Sequence, residues 1–397
     1  MQLAKRLKSV KPSPTLSLNA KARALAAKGA DVLSFAAGEP DFDTPAHIKD
    51  AIKAALDSGF TKYTATGGIP ELKTGIVEKL ERENKLSFTP EQIVVTVGGK
   101  QAIYNCFQAL LSPGDEVVIF SPYWVSYPDM VRLADGEPKF VETQSADNWT
   151  PDPKELKKVL SPRTRAVIFN SPSNPTGAVI SRKALEALAD VLRDHDCLII
   201  TDDIYERLLY LDGPFFNIAN VAPDLAPRTL VINGFSKAFS MTGLRLGYAA
   251  GPKDLIAGMQ MVQDQSTSNA TSVIQKGAVA ALKGPTAPID EMVKAFARRR
   301  HLMTDGLNKI PGVKCRLPDG AFYCFPDLSE LIGKSYKGVG ISGSMKLSEI
   351  LLDDFLVAAV PGEPFGAEGF LRLSFATSDA NIEKGLARLA DFVSKLS

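Results

Sequence analysis

The strongest constraint on this chain is a series of short apolar segments, rich in β-branched residues, that alternate with longer helical patterns. These segments are residues 93–97, 116–120, 166–170, 197–201, 229–233 and 247–251. Between them lie stretches such as residues 183–196, where apolar residues recur at spacings of three and four, as on one face of a helix. Apolar strands separated by helices indicate a mostly parallel sheet that is covered on both faces. We therefore predict a large α/β domain over residues 48–290.

The two ends of the chain have a different pattern. Residues 294–310 and 381–396 predict helices, whereas three segments predict strands: GVKCRLP (312–318), AFYCFPD (321–327) and FLRLSFAT (370–377). A chain of 397 residues is long enough for two domains. We therefore predict a smaller α+β domain over residues 291–397. We expect residues 1–47 to form an N-terminal arm that completes the small domain or packs on a partner subunit.

The composition excludes several classes of partner. Lys plus Arg (46) nearly balances Asp plus Glu (45), which argues against binding to nucleic acid or an anionic membrane. No apolar run approaches the ~20 residues that span a bilayer, and the N-terminus lacks the apolar core of a secretory signal. Four cysteines without CxxC spacing and three scattered histidines predict no metal site. A reducing cytoplasm is the simplest setting.

Ligands of open parallel sheets bind beyond the carboxyl ends of the strands, so the residues that follow each strand are informative. Gly98 and Gly99 follow the first strand and open a helix, whose free N–H groups can receive an anion. This is not a P-loop, because Val94 occupies the position of the first glycine of that motif. Trp124 lies just beyond the second strand, where its indole is either core packing or a stacking face for a flat ligand.

The later strands are followed by further candidates. Asn174 lies in the rigid turn SPSNPTG, and Asp202 and Asp203 follow the fourth apolar run, where either carboxylate could instead cap a helix. Lys237 follows the fifth run, and Arg245 comes eight residues later. Taken alone, Lys237 is more typical of an exposed loop. Together, an anion cradle, a second cation, an indole, a carboxylate and a lysine meet the needs of pyridoxal phosphate.

At this point the chain resembles a known family. It resembles the class I aminotransferases of fold type I, and most closely the bacterial aspartate aminotransferases of the Thermus-type subgroup. The resemblance covers nearly the whole chain through motifs in consistent order. These are KPSPT, AGEPDFDTP, KYTATGGIPELK, TVGGKQA, SPYWVSYP, NSPSNPTG, TDDIYE, SKAFSMTGLRLGY and LRLSFATS.

The resemblance implies a role for each matching residue at the cofactor. Lys237 would bind pyridoxal 5'-phosphate covalently and then move the substrate proton. Asp202 would pair with the ring nitrogen. The remaining cofactor ligands would be Tyr205 and Asn174 on the ring oxygen, Trp124 stacked on the ring, and Gly99, Lys100, Ser236 and Arg245 on the phosphate, with Tyr63 reaching over from the other subunit of a homodimer.

The resemblance also implies a substrate site. Arg372 would bind the α-carboxylate as a two-pronged fork, assisted by the Gly38 backbone and by Asn174. Lys100 would face the second carboxylate of a dicarboxylic substrate, and Trp124 would also contact the substrate. Two segments depart from the family pattern, TATGG at 64–68 and Gly234 three residues before the lysine. Gly234 removes one hydroxyl that could bind the phosphate, and neither departure touches a residue that the chemistry needs.

The function implied is a ping-pong aminotransferase that moves the amino group of L-aspartate or L-glutamate to 2-oxoglutarate or oxaloacetate. An alternative is a prephenate or broader keto-acid aminotransferase, because Lys11 offers another cation near the expected entrance. The same fold also hosts lyases. A ligand-sensing protein without catalysis is disfavoured, because Lys237 is present.

Overall fold

The computed structural model of the protein describes residues 2–10 and 14–397, with the side chains of residues 14–16 left out of the description. Lys11, the extra cation expected near the entrance, lies outside the described residues. The strands, in chain order, are β1 (Leu33–Ser34), β2 (Ile93–Thr96), β3 (Glu116–Ser121), β4 (Glu137–Glu142), β5 (Thr164–Asn170), β6 (Leu198–Asp202), β7 (Thr229–Gly234), β8 (Gly247–Ala250), β9 (Tyr323–Cys324), β10 (Ser335–Tyr336), β11 (Val339–Gly340), β12 (Val357–Ala358), β13 (Val360–Pro361) and β14 (Leu371–Ser374).

Helices fill most of the intervals between the strands. They are α1 (Pro14–Ala27), α2 (Ala46–Asp57), α3 (Pro70–Lys79), α4 (Gly99–Leu110), α5 (Ser126–Leu133), α6 (Pro153–Val159), α7 (Arg182–Arg193), α8 (Ile218–Val221), α9 (Lys253–Asp264), α10 (Ser272–Lys283), α11 (Ala287–Leu307), α12 (Ser344–Phe355) and α13 (Asp379–Ser394). Among the described residues, no helix combines the length and apolar character that crossing a membrane requires.

Seven strands form the central sheet, in the order β2-β8-β7-β6-β5-β3-β4. Every neighbouring pair is parallel except those made by β8, which is antiparallel to both β2 and β7. The sheet is therefore mostly parallel, as predicted. All six apolar runs identified in the sequence contribute a strand to it.

Buried side chains on both faces explain why these runs are almost continuously apolar. Val94, Ile200 and Ile232 pack on one face with α4 and α5, and the opposite face packs with α7 through residues such as Val167 and Ile199. Each fully buried aliphatic side chain of this size stabilises the fold by about 1.5–3 kcal/mol. The sheet is consequently a rigid base for the loops at its edge.

Helix α7 shows how the local sequence specifies an element. Its Ser181 side chain accepts a hydrogen bond from the backbone N–H of Ala184, which caps the helix start. Leu185, Leu188 and Leu192 recur at helical spacing and are buried against the sheet. The helix therefore begins one residue before the predicted segment 183–196.

The smaller domain combines α11, α12 and α13 with the three-stranded sheet β13-β14-β9, and the N-terminal segment joins it. Strand β1 pairs in parallel with β12, and Asp31 forms ion pairs with Lys384 and Arg388 of α13. The arm therefore packs on the small domain, one of the two positions expected for it. The division at residues 47 and 290 stays a prediction.

Two expectations about strands need correction. The predicted strand over 312–318 is wrong, because only Lys314 forms an isolated bridge, with Asp327. The segment 321–327 contributes only the two residues of β9. Strand β4 was missed because it is an edge strand whose residues are mostly exposed or half-buried, so it lacks the apolar run that marks the other strands.

Candidate active site

A pocket of about 580 Å³ lies beyond the carboxyl ends of the parallel strands and is lined by residues from both domains. Eleven of the twelve residues predicted for the site line it: Gly38, Gly99, Lys100, Trp124, Asn174, Asp202, Tyr205, Ser236, Lys237, Arg245 and Arg372. Tyr63 is the exception, since it is 91% exposed and does not line the pocket of its own chain.

One wall of the pocket is built to receive an anion. Gly98 has φ of 82°, and α4 begins at Gly99, so free backbone N–H groups of the first turn lie at this wall. A Cβ on Gly98 would come within 2.7 Å of the Arg245 guanidinium, which shows how closely this cation approaches the turn. The buried side chain of Ser236 adds a hydroxyl. Positive charge and hydrogen-bond donors together suit a phosphate group.

Asp202 ends β6 and is 6% exposed. Its Oδ2 accepts a hydrogen bond of 2.6 Å from the Tyr127 hydroxyl, and its Oδ1 accepts one of 3.4 Å from the backbone N–H of Ile204. Burial raises the pKa of Asp202 to about 6, although the Tyr127 hydrogen bond and the charge of Lys237 oppose this. A carboxylate that is buried and ionised near neutral pH is suited to pair with a cationic ring nitrogen.

The neighbouring carboxylate, Asp203, has a different environment. It is completely buried, does not line the pocket, and accepts hydrogen bonds from the side chains of Thr201 and Asn217. Burial and the nearby charge of Glu206 raise the pKa of Asp203 to about 8. Of the two carboxylates in the sequence motif, Asp202 is thus the one that reaches the pocket.

Lys237 lies in the turn that follows β7, and its Nζ donates a 2.5 Å hydrogen bond to the carbonyl of Gly38. Burial and the positive charge of Arg372 lower the pKa of Lys237 to about 8. A lysine with such a pKa has an appreciable neutral fraction near neutral pH, which a nucleophile or a proton acceptor requires.

Arg372 lies on β14 and is 3% exposed. Its Nη1 donates to the side-chain oxygen of Asn174 at 2.9 Å, and its Nη2 donates to the carbonyl of Ala36 at 2.8 Å. Its Nε is buried and makes no hydrogen bond within the described residues. Arg372 lines the pocket, and a buried guanidinium in such a position is suited to bind a carboxylate.

Lys100 and Trp124 form another part of the wall. The Lys100 ammonium lies 4.9 Å from the centre of the Trp124 ring. Partial removal from water and the positive charge of Arg245 lower the pKa of Lys100. Trp124 also makes an edge-to-face contact with Tyr127, with ring centres 5.3 Å apart. The indole is therefore held in place, with a cation beside it.

Comparison with known proteins decides the family. Residues 30–389 match the family model described as aminotransferase class I and II. The chain belongs to this family. It is 47% identical over 397 residues to an aspartate/prephenate aminotransferase of Nitrosomonas europaea, covering 99% of this chain and 100% of the relative.

Solved structures agree with this assignment. This aminotransferase superposes on the aspartate aminotransferase of Rhizobium meliloti with a TM-score of 0.96 and 43% identity, over 100% of both chains. The aspartate aminotransferase of Thermus thermophilus with maleate matches with a TM-score of 0.93 and 45% identity, over 99% of this chain and 100% of that one. The predicted family and fold are confirmed.

The aminotransferase pocket also contains residues that the sequence did not single out. Tyr127 hydrogen-bonds Asp202, and the side chain of Asn170 bonds both the backbone carbonyl of Asp202 and the backbone N–H of Asn174. Tyr127 lies three residues after Trp124, in the first turn of α5, and this closeness to a predicted site residue is the signal that marks it. Tyr323 comes from the small domain, and no local signal pointed to it.

Proposed function

We propose that this aminotransferase uses pyridoxal 5'-phosphate held in the described pocket. The observation that carries the proposal is the presence, in one pocket, of a lysine of lowered pKa, a buried carboxylate and an anion cradle. Lys237, Asp202 and Arg245 supply these three features. Arg245, which lies close to Gly98, offers a binding group for a phosphate, and the Arg372 guanidinium at the pocket wall offers one for a carboxylate.

In this proposal, the backbone of Gly99 and Lys100 at the helix start, with Ser236 and Arg245, holds the phosphate, and the Lys100 side chain is left for the substrate. Trp124 covers the ring, and Tyr205 and Asn174 bind its oxygen. When bound, pyridoxal phosphate supplies an electron sink that stabilises negative charge at the Cα of an amino acid.

The chain's own residues would then control the proton. Lys237, once its amine is free, would take the proton from the substrate Cα and hold it for the next step. Asp202 keeps the ring nitrogen protonated by remaining ionised, and the Tyr127 hydroxyl stabilises that ionised form. Each residue therefore acts on a proton at a defined atom.

We propose L-aspartate and L-glutamate as amino donors, with 2-oxoglutarate and oxaloacetate as acceptors, in a ping-pong reaction. Arg372 would bind the α-carboxylate beside Asn174 and the Gly38 backbone, and Lys100 beside Trp124 would attract the second carboxylate. The names of the Rhizobium meliloti and Thermus thermophilus relatives support aspartate, and the maleate in the latter supports a dicarboxylate site.

A prephenate or broader keto-acid activity is a second candidate. It is favoured by the name of the Nitrosomonas europaea relative, which includes prephenate. Comparing turnover of prephenate and oxaloacetate with glutamate as the donor tests it. A kcat/KM for prephenate that is negligible beside that for oxaloacetate would dismiss it.

We also propose that the enzyme is a cytoplasmic homodimer with shared active sites. Tyr63 is 91% exposed in the single chain and would serve the phosphate of the neighbouring subunit. Four free, buried cysteines are compatible with a reducing compartment. Mixing inactive Tyr63→Ala and Lys237→Ala proteins should restore part of the activity. No recovery after proven subunit exchange would mean that each site is built from one chain.

The cofactor assignment is tested by absorption. Protein purified with pyridoxal phosphate should have a visible absorption band that moves when aspartate is added. A protein that never acquires a band with added cofactor would overturn the assignment.

The substrate assignment is tested by Lys100→Met. Loss of a close charge partner costs about 2–5 kcal/mol, or roughly 30-fold to several thousand-fold in kcat/KM for aspartate. Phenylalanine should be little affected, because it brings no second carboxylate. An equal loss for both substrates would assign Lys100 to the cofactor or the fold instead.

A further inference from the structure

Tyr323 enters the pocket from β9 of the small domain, and it is completely buried. Its two functional parts face different neighbours. The hydroxyl faces Tyr205, at the end of the pocket proposed for the cofactor, and the aromatic ring faces Arg372, at the end proposed for the substrate.

Binding of a ligand to Tyr205 would decide which of the two hydroxyls donates the hydrogen bond between Tyr323 and Tyr205. Tyr323 Oη and Tyr205 Oη lie 2.9 Å apart, and either oxygen can be the donor. Each phenol has one hydrogen to give. If Tyr205 gives its hydrogen to an oxygen of a bound ligand, it can keep its bond to Tyr323 only by accepting. A phenol that accepts a hydrogen bond is a stronger donor, because linked hydrogen bonds polarise one another.

The ring contact supports a cation. The Arg372 guanidinium carbon lies 4.5 Å from the centre of the Tyr323 ring and 5.3 Å from that of Phe365. Aromatic faces attract a guanidinium while leaving its in-plane N–H groups free for hydrogen bonds. The Tyr323 ring therefore attracts the Arg372 guanidinium without using the N–H groups that a carboxylate would bind.

A third contact shows how tightly Tyr323 is enclosed. A Cβ built on Gly38 would lie 3.2 Å from Tyr323 Oη. The same Gly38 accepts the hydrogen bond of Lys237 through its carbonyl. The N-terminal segment thus approaches the tyrosine closely where it has no side chain, and the hydroxyl has little room to turn away from Tyr205.

We propose that Tyr323 is a positioning residue that joins the two ends of the pocket, acting on the cofactor through Tyr205 and on the substrate through Arg372. This inference rests on the proposed function. The hydroxyl acts on Tyr205 and the ring acts on Arg372. Substitutions that remove the hydroxyl alone, or the hydroxyl and the ring together, can therefore distinguish the two roles.

Tyr323→Phe removes the hydroxyl and keeps the ring. Loss of the donor to Tyr205 weakens the hydrogen bond that Tyr205 gives to the cofactor's ring oxygen, and so destabilises its anionic form. The pH midpoint of the visible absorbance of the bound cofactor should move upward, which corresponds to a decrease of about threefold in the acid dissociation constant. The dissociation constant of succinate, a dicarboxylate that cannot react, should change by less than about twofold, because a ring still faces Arg372.

Tyr323→Leu removes both parts and keeps an apolar side chain. The absorbance midpoint should move as in Tyr323→Phe. In addition, succinate binding should weaken by about three- to thirty-fold, the range for loss of a partly desolvated cation–π contact. A matched control is Tyr336→Phe, which removes a buried tyrosine hydroxyl of the same domain where the ring packs on Phe355 and Phe392, away from the pocket.

A double-variant cycle tests whether the hydroxyl acts through its neighbour. In a Tyr205→Phe background, Tyr323→Phe should cause no further movement of the absorbance midpoint, because the residue that transmits its effect has lost its oxygen. Equal effects in both backgrounds would overturn the proposed route through Tyr205. If Tyr323 had only a structural role, Tyr323→Phe and Tyr323→Leu would change the absorbance midpoint and succinate binding in proportion to their loss of thermal stability. That result would also overturn the proposal.

Wild-type measurements separate the two levels of inference. A wild-type protein without a cofactor band would overturn the proposed function itself. A wild type with the band, whose Tyr323→Phe variant has an unchanged midpoint or whose Tyr323→Leu variant binds succinate normally, would overturn only the assignment of Tyr323.

Discussion

The two ends of the pocket are assembled in different ways. At the cofactor end, Asp202 is the last residue of one strand of the central sheet, and Lys237 and the helix start at Gly99 each lie three residues after another strand of it. At the substrate end, Arg372 bonds Asn174 and Ala36, which are 198 and 336 positions away in the chain. The cofactor end is thus a property of one sheet, whereas the substrate end depends on how three distant segments meet.

This difference predicts that the two ends respond to substitution independently. Strands buried on both faces leave little freedom for the loops at the cofactor end. Arg372 instead depends on contacts between the small domain and other segments. Changes at one end should therefore leave binding at the other end largely intact, except at the residues assigned to both ends, which are Asn174, Trp124 and Tyr323.

The largest expected effect is that of Lys237→Ala. Removing the amine should lower kcat by at least about 10⁴-fold, because the proton carrier is lost. The cofactor should stay bound without a covalent bond, and succinate should bind within about threefold of wild type if the ends are independent. Borohydride should trap the cofactor on Lys237 of wild type. Label on another lysine would contradict the assignment.

The next effect is that of Asp202→Asn, with Asp203→Asn as its matched control. A neutral amide cannot stabilise a cationic ring nitrogen, so kcat should fall by roughly 10²- to 10³-fold, as for a broken buried charge pair. Burial raises the pKa of Asp203 to about 8, so this side chain is mostly protonated near neutral pH. It is then uncharged, like the asparagine that replaces it. Its variant should keep most activity. The reverse ranking of kcat would transfer the role to Asp203.

Arg372→Lys tests the substrate end alone. Lysine keeps the charge but loses the planar fork that binds a carboxylate through two bonds. The KM for aspartate should rise by roughly 10- to 100-fold, as for loss of a charged hydrogen bond. The absorbance of the bound cofactor without substrate should be unchanged. If the absorbance of the bound cofactor without substrate also changes, the two ends are not independent.

Tyr127→Phe makes a smaller change at the cofactor end. It removes the 2.6 Å hydrogen bond to Asp202 and leaves the ring that packs against Trp124. The ionised form of Asp202 loses a donor, so kcat/KM should fall by about tenfold, equally for aspartate and for phenylalanine. Selective loss with one substrate would instead place Tyr127 in substrate recognition.

The smallest effect concerns stability and pH. Burial raises the pKa of Asp203 to about 8, so between its ordinary value and about 8 the folded chain holds a proton that the unfolded chain has lost. The free energy of unfolding therefore falls as pH rises through this range. Asp203→Asn removes this contribution, and its stability should fall less than that of wild type between about pH 5 and pH 8. Parallel curves from denaturant unfolding would contradict the assignment.

The same contrast explains what the sequence could predict. Residues that follow apolar strands at one edge of a sheet are visible as local motifs, so Lys237, Asp202 and Gly99 could be named as candidates from their positions, whereas their roles came from the family resemblance. Arg372 was found through family resemblance, since an arginine on a strand has no local mark of function. Tyr323 was missed because its contact with Arg372 depends on the pairing of β9 with β14, and its contact with Tyr205 arises only when the two domains meet.

The same physical reason accounts for the errors in the fold. Strand β4 lies at an edge with little apolar surface, and the segment 312–318 has alternating apolar residues but pairs only through the isolated bridge of Lys314 with Asp327. Hydrophobic patterns report which side chains are buried, but not whether the backbone has a partner.

The order of residues along the chain has a consequence for biosynthesis. The contributions of one subunit to the cofactor end are complete in sequence at Arg245, whereas Arg372 follows near the C-terminus. Domains generally fold as units during translation, the N-terminal ones first. The nascent chain therefore contains the residues proposed to bind the cofactor long before it contains the arginine proposed to bind the substrate. A polypeptide released early, before β14 is made, would have the means to capture the cofactor without the means to bind a substrate.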